Sequence, residues 1–152
     1  MNSKGFTLIE LVVVIVILGI LAATAAPKFI NLNADAQTAT LQGVKATMQA
    51  ASAKVHSKSL VKGNQKELNS HVNIEEGGEL AITFGYPRAN TGDWQQLLSL
   101  DGADFNYRQL GNVIAIYSSD VSPPTSLTDP CMVYYAEASA GSKPSFILNA
   151  CI

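Results

Sequence analysis

Hydrophobic positions change their spacing twice along this chain. From Phe6 to Ala26 they are nearly continuous, and from Leu11 to Ala26 no side chain ionises. Beyond Pro27 they thin into a stripe of Ile30, Ala34, Leu41, Val44, Met48, Ala51 and Val55. Steps of three and four, with Gln37 filling one position, mark one buried face of a helix. The two stretches join into a single predicted helix from Thr7 to about Lys58, with Gly63-Asn64 as its terminating turn. Further on, the apolar positions alternate as they do in strands. The runs are Glu79 to Phe84, Asp104 to Arg108, Val113 to Tyr117, Met132 to Ala136 and Ser145 to Asn149. Asp93 to Leu98 reads as a short capped helix between the first two. The expected class is α+β, a long N-terminal helix packed on a small antiparallel sheet.

The continuous apolar segment matches the roughly 20 residues needed to cross a bilayer. Glu10 lies inside it, where a carboxylate costs about 2.5 to 3.5 kcal/mol on insertion scales. A plain anchor leaves that residue unexplained. A secretory signal peptide fits Lys4 and the Ala23-Thr24-Ala25 pattern, but its apolar core is usually only about 7 to 15 residues long. A capping box through Thr7 and Glu10 explains the pair locally. It gives no reason for a cap at bilayer depth. No Lys, Arg or His on the segment can neutralise Glu10, whereas cutting between Gly5 and Phe6 would create an α-amino group close by.

The run Gly5-Phe6-Thr7-Leu8-Ile9-Glu10, followed by the apolar segment, strongly resembles the processing site of type IV prepilins. The resemblance implies a prepilin peptidase that cuts after Gly5 and methylates the new N-terminal Phe6. It makes 1–5 a leader, 6–27 a transmembrane and filament-core helix, and 28–152 an exported globular domain that includes the amphipathic half-helix. Glu10 would set assembly register against the Phe6 amine of a neighbouring copy. Gly19 and Pro27 match family positions where the helix is weakened. Proline there also removes a hydrogen bond and crowds the preceding turn.

Composition narrows the rest. The chain has 152 residues and a formal net charge of −2, leaving room for one soluble domain and no dense cationic footprint for nucleic acid. Lys54, Lys58 and Lys62 read as a solvated helix face. Lys4 before the apolar run and no basic residue until Lys28 favour a cytoplasmic N-terminus. The only cysteines, Cys131 and Cys151, read as a disulfide in an oxidising compartment, with two free thiols as the alternative. His56 and His71 lack paired metal-ligand spacing, so no metal or cofactor is expected. Asp101 with Asp104, and His56 beside Ser57, lack the orienting group and oxyanion donors of an active site. Thr91-Gly92-Asp93 and Asp101-Gly102 read as turns rather than calcium ligands. No enzyme is expected.

Phe6, the five-residue leader and the cysteine pair are similar to the type IVa subgroup. Ala26-Pro27-Lys28-Phe29-Ile30-Asn31-Leu32 and Gly85-Tyr86-Pro87 are similar to mannose-sensitive haemagglutinin (MSHA) pilins. That likeness implies a homopolymeric helical filament used in attachment, biofilm formation and haemagglutination. Its partners would be prepilin peptidase, the pilus assembly machinery and the inner membrane before assembly, with room for a surface or glycan ligand. A type II secretion pseudopilin and a minor, tip-located adhesin share the N-terminal features. The cysteine pair favours a pilin over a major pseudopilin, which typically uses a calcium-binding loop there.

Overall fold

The computed structural model describes residues 5–74 and 78–152, and the side chains of 27–31 lie outside that description. Met1 to Lys4 of the expected leader, and the Ile30 side chain heading the stripe, therefore fall outside the described residues.

One helix, α1 (Leu8–Lys62), runs unbroken for 55 residues, about 80 Å at the usual rise. It starts one residue later than expected and ends four later. Gly63 stops it by taking the left-handed conformation at φ 79°, and its N–H reaches the Ser59 carbonyl at 2.9 Å. The helix continues through Gly19 and Pro27.

The strands form two sheets rather than one. β1 (Ser70–Asn73), β2 (Glu79–Thr83) and β3 (Tyr86–Pro87) make a three-stranded antiparallel sheet in that order. After α2 (Thr91–Leu97), the strands β4 (Phe105–Leu110), β5 (Val113–Ser118), β6 (Met132–Ala136) and β7 (Ser145–Asn149) make a four-stranded meander. β6 and β7 lie on the residues their alternation marks.

Alternation divides the meander into two faces. Tyr107, Ile116, Val133 and Leu148 align across one row, and Ile114, Tyr135 and Phe146 across the next. They pack on Leu41, Val44 and Met48 of α1 and on Trp94 of α2. Ala115, Tyr117 and Met132 form a smaller cluster on the opposite face. Val55 meets Val72, Leu80 and Ile82 of the smaller sheet, so one helical stripe serves both sheets.

The expected stripe is therefore present from Leu41 to Val55. It also takes in Ser52 and Ser59, both buried. Ser59 can be buried because its hydroxyl donates to Asn64 Oδ1 at 2.7 Å, while Asn64 Nδ2 donates to Ser70 Oγ and the His71 carbonyl. The cap of α2 is Asn90 rather than Asp93. Asn90 Oδ1 accepts from the N–H groups of Gly92 and Asp93, which places Asp93 in the first turn.

Candidate functional site

Each predicted site residue lies on or beside α1, or on the disulfide that ties the meander to it. At the N-terminus, Thr7 caps the helix in an extended conformation and Glu10 sits at the third helical position. Glu10 Oε2 accepts from the Thr7 N–H at 2.9 Å and from the Thr7 hydroxyl at 2.6 Å. The Glu10 N–H donates back to Thr7 Oγ1 at 3.3 Å. This is a complete capping box, so in the isolated chain the carboxylate is satisfied locally.

Around it the surface is apolar and uncovered. Every side chain from Gly5 to Ala26 is exposed, including Phe6 at 80% and Leu8 at 79%. Leu8–Ala26 is long and apolar enough to cross a membrane. A contiguous apolar surface of that size marks an interaction site in a protein or a bilayer. Gly5 and Phe6 precede the helix, so the bond between them lies outside it. Gly19 faces open space, and Thr24 Oγ1 donates to the Leu21 carbonyl at 2.9 Å.

At the other end of the predicted set, Cys131 and Cys151 are joined. The bridge ties the start of β6 to the segment after β7. That segment also holds α1, because the Cys151 N–H donates to Thr38 Oγ1 at 2.9 Å. Gln37 Nε2 donates to Asp120 Oδ2 at 2.7 Å, so Gln37 and Thr38 form the lower rim of the domain's grip on the helix. Asp129 organises the loop beside the bridge. The N–H groups of Ser126 and Thr125 hold its carboxyl below the usual carboxylate range, and Asn149 Nδ2 donates to the Leu127 and Asp129 carbonyls.

Among the residues set aside as catalytic candidates, Ser57, His56 and Asp101 bond through their side chains to backbone groups. Ser57 Oγ donates to the Ala53 carbonyl, and His56 instead meets the Gly85 carbonyl through Nδ1 at 3.1 Å. Asp101 Oδ1 accepts from the Ala103 N–H in a turn. Two of the three lysines are more than a solvated face: Lys58 Nζ donates to the Asn73 carbonyl and Lys62 Nζ to the His71 carbonyl. They thereby occupy acceptors on β1, a strand at the edge of its sheet.

Residues 1–26 match the family described as the prokaryotic N-terminal methylation motif. The chain is similar to the type IV narrow pilus major component PilA5 of Thermus thermophilus. The two are 49% identical over 51 residues, which is 34% of this chain and 44% of that protein. It is also similar to fimbrial protein Q of Moraxella bovis, 39% identical over 92 residues, 59% of this chain and 56% of the relative. The matched regions thus span about half the length of these curated relatives. No solved structure matches the chain. A long apolar helix followed by small antiparallel sheets gives the chain a type IV pilin-like α+β architecture.

Proposed function

We propose that this chain is a structural subunit of a type IV pilus, made as a precursor held in the inner membrane by residues 6–27. The observation that carries the reading is the bare half of α1. An apolar helix of spanning length is left without any protein cover, and its single carboxylate, Glu10, lies inside the matched methylation motif, four residues after Phe6.

Prepilin peptidase cuts after Gly5 and methylates Phe6. The new amine and Glu10 then open an intermolecular option. In the precursor Glu10 bonds to Thr7. In the filament it exchanges those bonds for the Phe6 amine of a neighbouring copy, while the apolar helices pack together as a heterologous contact that does not close into a ring. A buried ion pair adds register more than net stability, whereas removing one partner from such a pair costs about 3 to 5 kcal/mol. Gly19 and Pro27 supply the soft stretch that lets packed helices extend. The MSHA-like reading adds attachment, biofilm formation and haemagglutination, with the C-terminal domain outside the cell.

Intact-mass and N-terminal peptide analysis of protein sheared from the cell surface tests this reading. An N-methylated Phe6 start in sheared filaments is the expected result. A start at Ala26 would make the apolar run a discarded signal peptide, and a methylated chain absent from sheared material would favour a periplasmic pseudopilus. Glu10→Gln is expected to abolish filaments while the membrane-held chain keeps its folded domain. Normal piliation in that variant would count against the pairing.

A further inference from the structure

The β2–β3 hairpin turns on Phe84 and Gly85, both in the left-handed region at φ 48° and 84°. A two-residue turn of this kind favours Asn, Asp or Gly at its first position, because a bulky side chain is strained there. A phenylalanine in that place is a backbone outlier of the sort that gathers at functional sites. The hairpin tip is also held rigidly. Phe84 N–H donates to the Glu67 carbonyl at 2.8 Å, and the Gly85 carbonyl meets His56 Nδ1 at 3.1 Å. The His56 ring lies parallel on Tyr86 with centroids 4.1 Å apart. Gly85 is packed so closely that a Cβ there would stand 2.9 Å from His56 Nδ1 and 3.0 Å from Gln65.

This fixed tip forms one wall of an open cleft of about 430 Å³, within the usual range for ligand sites. Phe84 and Tyr86 line it together with Lys66 from the α1–β1 connection and Ser142 and Lys143 from the β6–β7 connection. Three segments distant in sequence thus place two lysines and two aromatic residues around one cleft. Among the described residues neither Lys66 nor Lys143 is bonded to a carboxylate. The opposite wall is ordered too, since Ser142 N–H and Oγ both reach the Ser139 carbonyl.

We propose that this cleft is a binding site for an anionic pyranose, a sugar ring bearing a carboxylate. Aromatic side chains offer apolar faces to the C–H side of a sugar ring, and the lysines pair with its carboxylate. An acidic peptide would use the lysines but would leave the rigid aromatic wall without a matching flat partner. The site lies at the C-terminal end of α1, away from the bare apolar half. It does not depend on filament formation.

The test uses the full chain in detergent micelles, so that its outcome is separate from that of the filament reading. Titration calorimetry would compare a sialylated trisaccharide, an oligouronate, neutral lactose and a short polyglutamate peptide. Binding of one or both acidic sugars, at least about tenfold tighter than lactose and weakened by salt, is expected. Which acidic sugar binds distinguishes a sialylated from a uronate source. Phe84→Asn, which relieves the turn, should lose about tenfold in affinity while melting no lower than the parent chain. Lys66→Gln with Lys143→Gln should remove the preference over lactose. The proposal is overturned by equal binding of acidic and neutral sugars, by binding of the peptide alone, by no saturable binding, or by unchanged affinity in these variants.

Discussion

The two halves of α1 share one backbone and differ in everything that touches it. From Leu8 to Ala26 nearly all the side chains are apolar, Glu10 being the one that ionises, and all are exposed. From Leu41 to Ser59 only one stripe is apolar, and that stripe is buried against two sheets. The difference shows how a sequence assigns a solvent. A helix hydrophobic all round has no face to give to water, whereas a one-sided stripe prescribes a partner on that side. Fold stability should therefore be concentrated in the second half, and assembly in the first.

The largest effect should separate the halves directly. Met48 is fully buried, so Met48→Ala should cost the domain about 2 to 5 kcal/mol. Ile15→Ala, in the exposed half, should leave the denaturant midpoint of the same domain in detergent unchanged. An equal loss from both variants would break the division.

Next comes the rim where the two regimes meet. Replacing both Cys131 and Cys151 with Ala should cost about 3 kcal/mol by freeing the unfolded chain. It should also loosen the Thr38 contact made by the Cys151 N–H, read as faster hydrogen exchange around 36–42 than around 48–55.

A smaller loss is expected within the clasped region. The Tyr135 hydroxyl is buried and donates to the Pro87 carbonyl at 2.6 Å, and burial, then Glu137 and Tyr86, push its pKa far up. Tyr135→Phe leaves that carbonyl unsatisfied and should cost about 1 to 2 kcal/mol in thermal unfolding, without disturbing the stack on Trp94.

The smallest effects are electrostatic and have opposite signs. Asp129 has its pKa lowered by the Ser126 and Thr125 N–H groups. Its contribution is present above the unfolded pKa and disappears as pH falls through the lower folded value. The amide resonances of Ser126 and Thr125 should follow that fall. Asp93 is raised by burial, against partial opposition from Arg88 and His71. Its destabilising effect is complete above the folded pKa and is relieved as pH drops toward the unfolded one. Carboxylate titration by NMR should place Asp93 above Asp129.

What was legible beforehand followed the density of apolar information. The bare half of α1, the stripe from Leu41 to Val55 and strands β6 and β7 carry enough alternation or periodicity to be located directly. β1 was not legible, because Ser70-His71-Val72-Asn73 offers a single apolar side chain and depends on β2 and on Asn64 for its place. β3 is two residues ending in proline, a strand only because β2 lies beside it. The division into two sheets was likewise invisible, since alternation reports faces and not neighbours. At α2, Asn90 and Asp93 are both competent caps. The start is set by Asn90 Oδ1 reaching two N–H groups, with Trp94 Nε1 anchored on the Arg88 carbonyl. At the N-terminus the Thr7–Glu10 pair was legible as a capping box. The cleft beside Phe84 was not, because its walls come from three separated segments and its main signal is a backbone angle.

The ordering of the strands has a kinetic meaning. Every strand pairing in both sheets joins strands consecutive in the chain, most of them over a short connection and β5–β6 over residues 119–131. Folding rates rise as native contacts become more local, because less loop entropy is lost before a contact forms. The sheets can therefore zip hairpin by hairpin as the chain emerges. The long-range contact is the docking of α1 on both sheets, where the Cys151 N–H also reaches Thr38 Oγ1.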